Sequence, residues 1–176
     1  STHDTGTRLS WTLRPAVSIH QANWEQKRAA MQEVCQNCHA GGLIENFYKQ
    51  YDDSVNLYNT KFGEPAAAIM KKLTDTKAIS TTPFDTRIKW DYYEMWHHEG
   101  RAARMGSAMA GPDYTQWHGF YEVAKDFYMN FLPEAEKLSP GITKGIQESP
   151  DNIWMKGLTT EQIQEQINYY KKRYNQ

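Results

Sequence analysis

Apolar side chains recur at helical spacing along most of this chain. Trp24, Met31 and Val34 follow one another at steps of seven and three residues, which predicts a first helix beginning near Asn23. We expect the glycine pair at 41–42 to end this helix as a C-terminal cap. Residues 1–20 contain few periodic apolar positions, which is typical of an extended arm. Such an arm needs another surface to become ordered, and this chain need not contain that surface.

The same spacing predicts further helices at residues 43–61, 66–73, 86–109 and 114–131. We expect the string Gly63-Glu64-Pro65 to break the second helix and Pro133 to end the last one. A loop is predicted at 80–85, and residues 139–157 are irregular in pattern. The tail starts at Thr159 with Thr-Thr-Glu-Gln, a capping arrangement, and continues as a polar amphipathic helix.

No alternating run supports a sheet, so the sequence predicts an all-α fold. We divide it into an extended N-terminal arm at 1–22, a helical domain at 23–138, and an irregular segment with a C-terminal helix at 139–176. The 176 residues suffice for one core. A net charge of −1 with interspersed signs argues against nucleic acid as a partner. No apolar run has the length of a membrane span.

One string carries a specific chemistry. Cys35-Gln-Asn-Cys38-His39 has the form Cys-x-x-Cys-His, the attachment signature of a c-type haem. On a helix, Cys35 and Cys38 lie one turn apart, so both sulfurs can reach the vinyl groups of one porphyrin while His39 binds the iron as proximal ligand. The helical domain at 23–138 is therefore expected to bind covalent haem c.

Two other interpretations of the cysteine pair fit the sequence less well. A structural zinc site needs four ligands, and the chain has only two cysteines. A thioredoxin-like redox pair lies between a strand and a helix, whereas a helix is predicted before Cys35. Haem therefore explains the string best. Because c-type haem is attached outside the cytoplasm, we expect a periplasmic or equivalent lumenal location. No signal peptide is visible, so the chain begins as a processed form or within something larger.

A low-spin haem commonly takes a second axial ligand from the protein. The candidate distal iron ligands are His3, His20, His97, His98 and His118. His97 and His98 are adjacent, so on a helix they diverge by about 100° and cannot face one iron. Arg101 and Arg104 follow at helical spacing and could bind haem propionates. The alternative is a solvated charge cluster with Glu94 and Glu99.

Several strings resemble the C-terminal third of the octahaem hydroxylamine oxidoreductase family. They are Thr5–Trp11 with Arg14-Pro15, the haem site at 35–39, Thr82–Asp85, Trp96-His-His-Glu-Gly100, and Gly111-Pro-Asp-Tyr-Thr-Gln-Trp-His-Gly119. Together they cover the span from residue 3 to about 131 and are far more specific than one haem motif.

The resemblance implies a mostly helical, multihaem cytochrome c type subunit that assembles as a homotrimer. Electrons pass from a catalytic haem through bis-histidine haems to a redox partner cytochrome, during oxidation of hydroxylamine or hydrazine or the reverse reduction of nitrite. It also implies that a tyrosine of the neighbouring subunit is cross-linked to the catalytic haem. By motif this is Tyr114, with Tyr121 as the second choice. Without the resemblance, Tyr114 would be interpreted as an aromatic side chain that packs near the start of a helix.

The chain also departs from the family. It has one attachment motif, lacks the motif of the catalytic haem, and has Arg101-Ala-Ala-Arg104 where relatives often have Arg-Arg-Ala-Arg. We therefore expect either a separate subunit that joins other multihaem cytochrome chains or a piece whose N-terminal part is missing. The alternatives are a stand-alone monohaem electron-transfer cytochrome and a structural subunit whose haem is a scaffold.

Overall fold

The structure is a computed structural model that describes residues 8–174. These residues form two compact units, 8–140 and 141–174. Most of them are helical, and the described range contains no strand, only an isolated antiparallel bridge between Trp11 and His20. The prediction of an all-α fold is confirmed. No helix within 8–174 combines the length and the apolar character needed to cross a membrane.

In the first unit, α-helices continue into one another through π-helical turns. The elements are α1 Trp24–Gln36; α2 Gly41–Tyr58, a π turn Asn59–Gly63 and α3 Glu64–Asp75; α4 Arg87–Glu94, a π turn Met95–Glu99 and α5 Gly100–Ala108; and α6 Pro112–Thr115, a π turn Gln116–Tyr121, α7 Glu122–Asp126, a π turn Phe127–Phe131 and α8 Leu132–Leu138. The long helix predicted at 86–109 is confirmed, with a π turn at its centre.

Two predicted helix breaks are wrong. The helix runs through Gly63-Glu64-Pro65 into α3, and the last helix runs past Pro133 to Leu138. Each proline lies in the first turn of an α-helix that directly follows a π turn. Proline lacks an N–H and its ring crowds the preceding turn of a regular α-helix. A wider π turn at that point accommodates both defects, so the backbone need not stop.

The predicted glycine cap of α1 is also wrong. This helix ends at Gln36, and the side-chain amide of Asn37 donates to the carbonyls of Glu33 (3.2 Å) and Val34 (3.1 Å). The glycine pair at 41–42 instead begins α2. The asparagine therefore satisfies the orphan carbonyls that a C-terminal glycine motif would otherwise serve.

α2 runs through the centre of the first unit. Its side chains Tyr51, Val55 and Tyr58 are completely buried, and its neighbours include α5 and the segment before α1. That segment contributes Trp11 and Leu13 to the same apolar cluster. The core therefore depends on residues that we predicted to lie in an extended arm.

The surface that the arm needed lies in this chain. Residues 8–22 fold back through the Trp11–His20 bridge and pack on α2 and on its π turn. The amide of Asn59 pairs with the backbone of Ser18 in both directions, at 2.9 and 2.8 Å. The Tyr58 hydroxyl donates to the Ala16 carbonyl (2.8 Å). These contacts satisfy the polar groups of an otherwise irregular segment.

The second unit has two short helical elements and one long helix. They are α9 Lys144–Gln147, a 3₁₀ segment Pro150–Lys156 and α10 Thr160–Tyr174. At the start of α10, the Gln162 N–H donates to the Thr159 hydroxyl (3.2 Å) and the Thr159 N–H donates to the Gln162 side chain (2.9 Å). This reciprocal pair is a capping box and confirms the predicted helix start.

We expect Asp52→Asn to destabilise the first unit by about 2 kcal/mol, because Asp52 binds Arg28 through two 2.7 Å hydrogen bonds and accepts a third from Trp11. Burial acts to raise the pKa of Asp52, but the hydrogen bonds from Arg28 and Trp11 lower it overall. The contribution is therefore complete above the ordinary aspartate pKa of 3.8 and is lost as the pH falls below it.

Urea denaturation at neutral and acidic pH measures this difference. The matched control is Asp53→Asn, since the neighbouring Asp53 pairs with Lys49 on the surface, where both side chains are exposed. It should change stability little. If both variants lost the same stability at neutral pH, the hydrogen bonds to Asp52 would contribute no more than an exposed ion pair.

Candidate functional site

A cavity of about 560 Å³ lies beside the C-terminal end of α1. Its wall combines residues of α1, the following turn, α2, the end of α5 and the arm. The lining residues are Arg8, Met31, Val34, Cys35, Asn37, Cys38, His39, Leu43, Ile44, Phe47, Tyr48, Met109 and Ala110. Most of these side chains are apolar, and the volume is in the range of pockets that hold cofactors.

The Cys-x-x-Cys-His string forms one end of this cavity. Cys35 lies in the last turn of α1, while Cys38 and His39 lie in the turn that follows, rather than on the helix as predicted. The N–H groups of Cys38 (3.1 Å) and His39 (2.9 Å) both donate to the Cys35 carbonyl. These two hydrogen bonds hold the turn against the end of α1. Both thiols are free, with Cys35 half-buried and Cys38 exposed.

The donor set fits a c-type haem. Two free thiols, an adjacent imidazole and a largely apolar cavity provide, respectively, the attachment points, the axial ligand and the dry surroundings that this cofactor uses. A zinc site would need more ligands, and residues 8–174 contain no group of three or more His, Cys, Asp or Glu side chains placed to hold a metal ion.

None of the predicted distal histidines within the described residues lines the cavity, and His3 lies outside that range. His20 is stacked between Trp11 and Trp24, with ring centroids 3.6 and 4.0 Å away. Its Nδ1 lies 3.3 Å from the Ser10 carbonyl oxygen. The structure therefore places His20 in a ring stack on the arm and not beside His39.

His97 and His98 lie in the π turn between α4 and α5. Their ring centroids are 4.9 Å apart and the ring planes differ by 70°. His97 stacks on Tyr93 at 4.4 Å, and its Nδ1 is buried without a hydrogen-bond partner in the described part of the chain. Burial, together with the charges of Arg101 and His98, lowers the pKa of His97. It is therefore held neutral, the form that binds iron.

Glu99 completes the same π turn. Burial, with Asp126 as the next cause, raises the pKa of this carboxyl to about 7. One of its oxygens is buried and has no hydrogen-bond partner among residues 8–174. The predicted solvated cluster around Glu94 and Glu99 is therefore wrong for Glu99, which is largely inside the fold.

The predicted propionate role of the arginines does not match their positions. Arg104 is completely buried, with its guanidinium 4.0 Å from the centre of the Tyr58 ring, and its hydrogen bonds go to this chain's own backbone and to Ser18. Arg101 donates twice to the Arg14 carbonyl, at 2.9 and 2.7 Å. Both side chains are occupied in fastening the arm, and neither lines the cavity.

A separate aromatic face lies along the helix that starts at Pro112. Tyr114, Trp117 and Tyr121 are 63%, 64% and 58% exposed, and their spacing of three and four residues places them on one side. His118 lies beside Tyr114, with 5.4 Å between ring centroids, and its Nε2 is 3.6 Å from a carboxylate oxygen of Asp113. This aromatic face points away from the rest of the unit.

Two close approaches fix the helix that carries the aromatic face. A Cβ on Gly119 would lie 2.5 Å from the Ala103 Cα, and a Cβ on Gly106 would lie 2.8 Å from the Thr115 nitrogen. The backbone of α5 thus contacts the backbone of the next helix directly, which only glycine permits. Tyr114 is held outward by this crossing.

Sequence reasoning missed most of the cavity wall. Phe47, Tyr48 and Met109 lie in predicted helices and Arg8 in the string Thr5–Trp11, but no local feature assigns any of them to a site. Arg8 gives only a weak signal, as a basic residue in a polar segment that also contains Arg14. Comparisons with protein-family models, curated proteins and solved structures found no match for this chain.

We expect Gly119→Ala to destabilise the first unit by about 2–3 kcal/mol, because the new methyl group would collide with the Ala103 backbone, which cannot move aside. Gly42→Ala is the matched control, since a Cβ there meets no atom within 4 Å. Thermal and urea unfolding of both variants would measure the difference. If the two variants had equal stability, α5 and the helix that contains Gly119 would be able to move apart without loss of folding free energy.

Proposed function

We propose that this chain carries one covalent haem c and serves as an electron-transferring part of a hydroxylamine oxidoreductase-like enzyme. The observation that carries the proposal is the position of Cys35, Cys38 and His39 on the wall of a largely apolar cavity. A motif of this kind without a cavity would have no room for a porphyrin. Haem, when bound, supplies a one-electron redox centre.

The roles of the chain's own residues follow from their chemistry. Cys35 and Cys38 would hold the haem, each by adding its S–H across one vinyl C=C to give a thioether, a reaction that needs no oxidant or reductant. His39 would supply a ring nitrogen to the iron. The apolar side chains of Ile44 and Phe47 exclude water, which favours a stable redox potential over ligand exchange.

The enzyme assignment rests on the resemblance and on the exposed aromatic face. In this proposal the partners are other multihaem cytochrome chains or an N-terminal part, the assembly is a homotrimer in the periplasm or an equivalent lumen, and a cytochrome accepts the electrons. The substrate is hydroxylamine or hydrazine, or nitrite in the reverse direction. Tyr114 reaches a neighbour's catalytic haem. His97, His98 and His118 serve haems elsewhere in the assembly.

A stand-alone monohaem electron carrier is the second candidate. It is favoured by the composition of the cavity wall, which this chain builds alone from its arm and helices. A carrier of this kind buries its haem in its own fold. It leaves the outward aromatic face without a role.

The first experiment is intact mass and denaturing-gel haem staining of the natively purified protein. We expect the chain to retain its haem on the gel and to lose it in the Cys35→Ser/Cys38→Ser double variant. A chain that migrates alone with one haem supports the carrier. A chain joined covalently to another haem-bearing chain supports the oxidoreductase. Absence of covalent haem would contradict both.

Tyr114→Phe tests the cross-link. Because Tyr114 is exposed, the variant should keep its fold and its haem content, while the assembled enzyme loses the modified-haem spectrum and the oxidative activity. Tyr121→Phe is the matched control on the same face and should leave both unchanged. An effect of Tyr121→Phe alone would transfer the role to Tyr121, and no effect of either would remove the cross-link from the proposal.

A further inference from the structure

A haem in this cavity brings two propionate carboxylates, and a carboxylate near an apolar wall needs hydrogen-bond donors. Resting on the proposed haem site, we propose that Arg8 and the Tyr48 hydroxyl bind the propionate side of the haem. Both residues line the cavity and both contact Phe47. The Arg8 guanidinium is 5.8 Å from the centre of the Phe47 ring, and the Tyr48 ring centre is 5.1 Å from it.

The other polar groups on the wall already have tasks. The two cysteines are the attachment points and His39 is the iron ligand. The amide nitrogen of Asn37 donates to two carbonyls at the end of α1. Arg8 and Tyr48 are the remaining polar side chains among the lining residues. If the carboxylates are bound by this chain's cavity wall, these two residues are the available donors.

The Tyr48 hydroxyl can donate a hydrogen bond to a bound carboxylate. Its side chain is 3% exposed, yet its hydroxyl is buried and has no hydrogen-bond partner within the described residues. A hydroxyl left in that state costs free energy unless a ligand satisfies it. Arg28 lies over the Tyr48 ring at 4.7 Å, but its guanidinium is paired with Asp52. Burial raises the pKa of Tyr48, so its hydroxyl keeps the proton that it would donate.

Arg8 supplies the charge. It is the one Lys or Arg side chain among the lining residues, and its Nε is buried with no hydrogen-bond partner in the part of the chain that the structure describes. A guanidinium offers parallel N–H donors that match both oxygens of a carboxylate. A cation on an otherwise apolar wall is expensive without an anion, and a propionate is the anion that the proposed cofactor brings.

The test compares full-length holoproteins that carry Tyr48→Phe or Arg8→Met, with the haem midpoint potential measured as a function of pH. Loss of one donor should make the propionate bind its proton roughly tenfold more tightly, which moves the inflection of the curve upward by about one pH unit. The potential at neutral pH should fall in both variants. Each variant removes positive charge or a hydrogen bond from the propionate, and the less neutralised carboxylate stabilises the ferric state. Arg8→Lys keeps the charge and should lie between wild type and Arg8→Met.

Tyr51→Phe and Arg14→Met are the controls. Tyr51 is buried on the same helix but does not line the cavity, and Arg14 is an exposed arginine of the same arm. Both should give the wild-type curve. Holoprotein variants at Arg8 and Tyr48 with unchanged curves would overturn this inference and leave the haem proposal intact. A wild-type chain without covalent haem would overturn both together.

Discussion

The buried guanidinium of Arg104 joins the N-terminal arm to the helix formed by α4, its π turn and α5. It donates to the carbonyls of Pro15 (3.0 Å) and Gly100 (2.8 Å) and to the Ser18 hydroxyl (2.6 Å), and it lies 4.0 Å from the centre of the Tyr58 ring. Burial lowers its pKa to about 10, so it remains charged at neutral pH. Removing it would leave buried carbonyls unsatisfied, which costs more than the bonds themselves contribute. The arm is therefore part of the fold.

The cavity wall includes a residue of the arm, so its composition depends on the attachment of the arm to the helices. Arg8 belongs to the arm, whereas the Cys-x-x-Cys-His string belongs to α1 and its turn and Tyr48 belongs to α2. Arg28 and Asp52 join the arm, α1 and α2 at a single point. The geometry around the proposed cofactor is consequently set by polar contacts outside the cavity. Long-range hydrogen bonds, rather than the local motif, decide which side chains form its wall.

The helices could be predicted because periodic apolar positions such as Tyr51, Val55 and Tyr58 follow from burial of one helix face. The continuation of helices through Pro65 and Pro133 could not, since a regular α-helix does not tolerate an interior proline and the π turns before these residues do. A haem site at 35–39 could be proposed from local spacing alone. The donors at Arg8 and Tyr48 could not, because they meet only when the arm folds back across α2, a contact with no local signature.

The π turns also affect how the chain's length can vary. Such a turn has one residue more than an α-helical turn would, so deleting a single residue there leaves a continuous α-helix instead of a broken one. The turns Met95–Glu99 and Gln116–Tyr121 contain His97, His98, Trp117 and His118. Single-residue gaps at these two points in related chains would therefore re-aim imidazole and indole rings while the surrounding helices stay in place.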